Sequence, residues 1–138
     1  MSRSIACIDY RNGKVFIAKR QKGGDMGERW EFPGGKIDGN EDFTQAIKRE
    51  MQEEFGVEVT VGGHIASASF YHKEKECFVD AFEVHFKEDG LARRFNLTEH
   101  TDYRWEPIEN IPGLNFVDSD LKLYDDICKR YEVSVMNY

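Results

Sequence analysis

The stretch from Gly35 to Val57, GKIDGNEDFTQAIKREMQEEFGV, constrains this chain more than any other. It leaves a Pro33-Gly34-Gly35 loop and ends at Gly56, a residue suited to the left-handed turn that closes helices. At about 100° per residue, Ile47, Met51 and Phe55 share an arc that predicts a core-facing helical stripe. Glu50, Glu53 and Glu54 fall within roughly the 100° beside it, so three carboxylates run along the edge of a buried face. Each like-charged pair at i,i+3 or i,i+4 costs about 0.2–0.5 kcal/mol. The pairs also occupy the second half of the helix, where the dipole disfavours negative charge. A solvated acidic face accounts for carboxylates in general, but not for their clustering at this end. A bound cation would remove the repulsion. Oxygen ligands on one rigid face, with water completing the shell, suit Mg²⁺ or Mn²⁺.

The spacing is more specific than the charge. Gly35, Glu41, Arg49, Glu50, Met51, Glu53, Glu54, Gly56 and Val57 fill every fixed position of G-x5-E-x7-R-E-U-x-E-E-x-G-U, where U is a bulky aliphatic residue. In this the stretch resembles the Nudix box. The resemblance implies an α+β fold, an α/β/α sandwich with a mixed, partly antiparallel sheet between helices, as a single domain over residues 1–138. It implies that Glu50, Glu53 and Glu54 bind divalent metal, with the Gly35 carbonyl as a further ligand. It also implies that Glu41 and Arg49 buttress the loop against the helix, Arg49 thereby supporting the catalytic set.

Elsewhere the residues read as an ordinary soluble protein. The length of 138 residues suits one domain, and 40% apolar with 33% charged residues is unexceptional. No apolar run is long enough to span a membrane. Cys7, Cys77 and Cys128 lack metal or disulfide spacing and read as reduced cysteines, which with the absence of a signal-peptide pattern predicts a cytoplasmic protein. A formal net charge of −7 argues against binding long nucleic acid through its phosphates. The expected partner is a small-molecule nucleotide, with no membrane, and the expected state is a monomer or homodimer.

Ser2 to Tyr10 reads as a strand and Lys14 to Arg20 as its hairpin partner, joined at the Asn12-Gly13 turn signal. Val57 to Tyr71 reads as one or two strands, bent or broken at Gly62-Gly63. Cys77 to Phe86 alternates, with Phe78, Asp80, Phe82, Val84 and Phe86 on one face. Tyr103 to Glu106 reads as a short strand. A final helix is predicted from about Ser119 to Tyr131, with Asp118 as a candidate N-cap and Leu121, Tyr124, Ile127, Cys128 and Tyr131 as its apolar stripe. The four histidines, His64, His72, His85 and His100, lack metal-ligand spacing and read as surface or hydrogen-bonded residues.

Weaker similarities to the MutT-like branch lie outside the box. They imply that Arg20 touches substrate and that Phe32 supports its base. Glu99, six residues before Trp105, would be a further metal ligand or the base. Asp120 would read a purine edge, with Asp118 the near alternative and helix capping the structural role that competes with it. Together these imply hydrolysis of a pyrophosphate bond in a nucleoside triphosphate, 8-oxo-dGTP being one such substrate, with Glu53, Glu54 or Glu99 taking the proton from water. Two alternatives stay open. One is a hydrolase of ADP-ribose, a dinucleoside polyphosphate, a cytidine nucleotide or a pterin triphosphate. The other is a domain that senses nucleotides without catalysis.

Overall fold

The computed structural model describes residues 2–23, 27–87 and 100–133. The helix predicted from the acidic stretch, α1, runs Phe43–Phe55. Asp42 caps it: its side chain accepts from the Gln45 backbone N–H at 2.8 Å, while the Gln45 side chain accepts from the Asp42 N–H at 3.0 Å. This reciprocal pair satisfies two otherwise orphaned donors. Gly56 ends the helix at φ 64°, ψ 30°, a left-handed conformation that costs glycine little. Ile47, Met51 and Phe55 are buried, as the helical stripe predicts.

Among the described residues, eight strands follow the chain: β1 Ser2–Ile8, β2 Tyr10–Arg11, β3 Lys14–Arg20, β4 Trp30–Glu31, β5 Gly34–Lys36, β6 Val59–His72, β7 Lys75–Phe86 and β8 His100–Pro107. One sheet has the order β5-β1-β7-β6, and a second joins β2, β3 and β4, with β8 along β3. The β1–β7 pairing is parallel and the others are antiparallel, so the sheet arrangement is mixed. After β8 come a 3₁₀ turn over Ile108–Gly113 and two short helices, α2 Asp118–Leu121 and α3 Tyr124–Arg130.

Side-chain alternation then builds two cores. From β1, Ile5 and Cys7 join Phe16 and Ala18 of β3 under Ile47, Met51 and Phe55 of α1. The intervening Ala6 and Ile8, with Val15 and Ile17, pack toward Leu123, Ile127 and Cys128. Successive strand residues point to opposite faces, so strands with apolar residues on both faces must be covered twice. That is the α/β/α sandwich. All three cysteines are buried and free. Among the described residues, no helix is long and apolar enough to cross a membrane.

Several elements differ from their sequence reading. β1 is not the hairpin partner of β3. The Asn12-Gly13 turn joins β3 only to the short β2, and β1 lies in the other sheet. The chain changes sheet at Asp9, whose buried carboxylate accepts from the Phe86 N–H and the Arg11 guanidinium. β6 is continuous through Gly62-Gly63, but its register with β7 shifts between Val61 and His64 and again between His64 and Ala66. β8 begins at His100 rather than Tyr103. The last helix is split after Leu121, and the residue before α2 is Val117, so Asp118 is not an N-cap. Asp80, the polar residue on the Phe-rich face of β7, is satisfied by Ser67 and by His64 Nε2 at 3.0 Å.

Candidate active site

The loop before α1 is held by one guanidinium. Arg49 Nε donates to Glu41 Oε2 at 2.8 Å and Nη2 donates to Glu41 Oε1 at 3.0 Å, a planar two-point match. Nη2 also donates to the Lys36 carbonyl at 3.0 Å, and Glu41 Oε1 accepts from the Asp38 N–H at 2.8 Å. These bonds tie β5, the Asp38 turn and α1 together. They hold the Glu41 carboxyl below its usual range, the Arg49 side chain being the largest cause. Arg49 Nη1 spans Glu50 at 2.9 Å and Glu53 at 3.1 Å, compensating part of the acidic cluster.

Burial is graded along that cluster. Glu54 is 4% exposed, while the Glu50 and Glu53 side chains are 12% and 61% exposed. The Glu50 carboxyl is raised above its usual range, first by burial, with hydrogen bonds from Arg49 and Glu54 opposing. It lies flat against Gly35, where a Cβ would come within 2.6 Å of its Cδ. Any side chain at Gly35 would therefore displace the carboxyl. Gly34, at φ 153°, passes so close to the Ile5 carbonyl that a side chain there would collide with backbone.

A cavity of about 470 Å³ opens above this junction, and Gly35, Glu50, Glu53 and Glu54 all line it. Arg20, Phe32 and Asp120 line it as well. Asp120 is buried, and its Oδ2 accepts from the Phe32 N–H at 3.0 Å. That bond crosses the fold to the β4–β5 connection, so the side chain does not cap its own helix. Burial, followed by the nearby Glu31 charge, pushes the Asp120 carboxyl up to about 8. The Phe32 ring is 3% exposed and packs edge-on against Phe116 at 5.1 Å, forming a firm wall rather than a projecting plate.

Glu31, which the sequence reading left unassigned, lines the cavity, and His100, read from sequence as a surface or hydrogen-bonded histidine, is hydrogen-bonded to Glu31. Glu31 accepts from Arg20 at 3.2 Å and from His100 Nε2 at 2.8 Å. His100 is buried and stacked on Phe55, and its Nδ1 stands 3.7 Å from Glu54 Oε2. Glu31 sits between Trp30 and Phe32 in sequence. Alternation along β4 was the available signal that it points away from those two aromatics.

The structure thus brings together Gly35, Glu50, Glu53, Glu54, Arg20, Phe32 and Asp120, with Glu41 and Arg49 behind the loop. Asp118 lies apart: its exposed carboxylate pairs with Arg29 at 3.3 Å and does not line the cavity. The assignment to Glu99 falls outside the described residues. Among the described residues, no three acidic, histidine or cysteine groups are already drawn together as a ready ligand cluster. Glu53 is turned onto Arg49 instead. The donor set nevertheless fits a hard divalent cation. It consists of carboxylate oxygens beside a glycine carbonyl, and Glu50 is seated in the space that Gly35 leaves.

The chain is similar to known proteins. Over 67 residues the chain is 43% identical to the CTP pyrophosphohydrolase of Escherichia coli, covering 49% of this chain and 50% of that protein. Over 60 residues it is 47% identical to the 8-oxo-dGTP diphosphatase of Proteus vulgaris, covering 44% and 52%. The chain thus spans about half the length of these two relatives. The solution structure of the E. coli ORF135 protein superposes with a TM-score of 0.82 at 28% identity, covering 99% of this chain and 95% of that one. The model of the NUDIX domain matches residues 2–127, and with the complete box on α1 and its loop the chain belongs to the Nudix family.

Proposed function

We propose that this chain is a divalent-metal-dependent pyrophosphohydrolase of nucleoside triphosphates. The observation that carries the reading is that one cavity is lined by both sets of residues. Glu50, Glu53, Glu54 and Gly35 line it together with Asp120, Phe32 and Arg20. A cation held by oxygens of the first four would neutralise phosphate charge and acidify a bound water. Arg49 keeps Glu50 aligned on the loop, and the rigid α1 sets the spacing of the carboxylates. Glu53, the most exposed of the three, or Glu54 takes the proton from the attacking water. The nucleoside is held against the Phe32 wall, with its base edge at Asp120.

The state of Asp120 bears on which base fits. An ionised carboxylate only accepts hydrogen bonds and suits the paired N–H groups of guanine. A neutral acid offers one donor and one acceptor, which matches cytosine N3 and N4 equally well. With its carboxyl pushed up to about 8, the neutral form predominates at pH 7. A cytidine triphosphate is therefore a specific second reading, supported also by the similarity to a CTP pyrophosphohydrolase.

The test is pyrophosphate release, with and without Mg²⁺, across 8-oxo-dGTP, dGTP, CTP, dCTP and ATP. Metal-dependent turnover of one or more is expected, with Glu53→Gln lower by orders of magnitude. In Asp120→Ala the preferred base should lose about 1–3 kcal/mol of its advantage in kcat/KM. Turnover of none of the panel, or undiminished turnover by Glu53→Gln, would overturn the reading.

A further inference from the structure

Beside the active cavity lies a second groove of about 370 Å³ that the reaction above does not use. It shares Ser4, Lys36, Phe70 and His72 with the active cavity and adds Ser2, Lys73, Lys75 and Cys77. Among the described residues, no carboxylate lines it. That is unusual in a chain with a formal net charge of −7.

The register of the β6–β7 hairpin explains the segregation. Phe70 faces Cys77 and His72 faces Lys75, so these four side chains share one face of the sheet. Tyr71 and Glu76 form the alternate pair and point to the opposite face. Lys73 and Glu74 make the turn, with φ of 51° and 65°. Among the described residues, lysine ion pairs are formed by Lys22 and Lys87, not by Lys36, Lys73 or Lys75. Lys36, Lys73 and Lys75 all line the groove, and like charges gathered there repel one another unless an anion joins them.

We propose that this groove is an accessory anion subsite, which binds phosphates of a substrate extending beyond the nucleotide held in the active cavity. It rests on the pyrophosphohydrolase reading for its role, though not for its chemistry. Phosphate oxygens match the lysines, and the apolar floor of Phe70 and Cys77 accommodates whatever the phosphates carry. Those phosphates belong either to a longer polyphosphate tail or to a second nucleoside joined through it.

The first measurement is calorimetric titration of the metal-free protein with inorganic tripolyphosphate at fixed ionic strength. Lys73 and Lys75 are exposed turn and strand-end residues, so Lys73→Ala/Lys75→Ala keeps the fold. The double variant should weaken binding tenfold or more, while Lys129→Ala, an exposed lysine on α3, leaves it unchanged. The second is kinetic. In the double variant, KM for adenosine 5′-tetraphosphate should rise at least fivefold while KM for ATP stays within twofold. A matching rise for diadenosine tetraphosphate identifies a second nucleoside as the extension, and its absence identifies the plain tail. Equal tripolyphosphate binding by all three proteins would overturn the subsite. If no nucleotide is hydrolysed, the hydrolase reading fails while the titration still decides the subsite.

Discussion

Asp120 shows how a single side chain changes character with its surroundings. In the unfolded chain its carboxyl titrates near 3.8, and in the folded protein burial moves it to about 8. Between those values the folded state binds a proton that the unfolded state has released, so stability falls as pH rises through that interval. Asp120→Asn keeps the shape and cannot ionise. In metal-free buffer the melting temperature of wild type should drop relative to Asp120→Asn from pH 5 to pH 8, and the gap should level off above about pH 9. Parallel melting curves across that range would show that Asp120 stays ionised in the fold. Glu50 is raised by the same cause, but there Arg49 opposes it.

At the scale of the element, the working unit is the join between β5 and α1. A helix fixes its own residues but not the loop that precedes it. Here one guanidinium bonds Glu41, the Lys36 carbonyl, Glu50 and Glu53 at once. Arg49→Ala should therefore reduce both activity and stability. It frees the loop and leaves Glu50 and Glu53 to repel each other without compensation. Melting should fall by roughly 3–6 °C, with kcat reduced on every nucleotide alike. Differential scanning calorimetry beside the nucleotide panel separates this from direct substrate contact, which would cost activity and leave melting unchanged. Arg49→Lys should recover only part of the loss, since an ammonium cannot reproduce the planar match to Glu41.

For the whole molecule, the acidic floor is a built-in repulsion held by two cores. Glu54 is buried, Glu50 nearly so, and α1 carries both over the Met51 and Phe55 side chains. A cation that binds the folded protein alone adds stability by mass action, about 2.7 kcal/mol at a hundredfold excess over Kd. In a domain of this size that is a rise in Tm of about 10 °C. Mg²⁺ or Mn²⁺ should raise the Tm of wild type in this way, and the rise should be largely lost in Glu54→Gln. A Tm indifferent to both ions would remove the metal from the site.

The box was legible in the linear chain because its geometry is local. Helical period and the Gly56 stop act over a few residues, so the shared edge of Glu50, Glu53 and Glu54 follows from spacing. The Asn12-Gly13 turn was legible for the same reason. Which strand joined it was not, because sheet membership depends on Asp9 reaching the Phe86 backbone. The split in the last helix was equally hidden: the apolar stripe from Leu121 to Tyr131 continues across it. Tertiary structure alone put Asp120 on the Phe32 N–H and Glu31 on His100, and it turned Glu53 onto Arg49. Asp120 and Phe32 are separated by 88 residues, and no periodicity carries information that far. The sequence by itself determined the acidic helix and the loop that feeds it. Burial and long-range packing decided which carboxyls are ionised, which are paired and what shares the cavity with them.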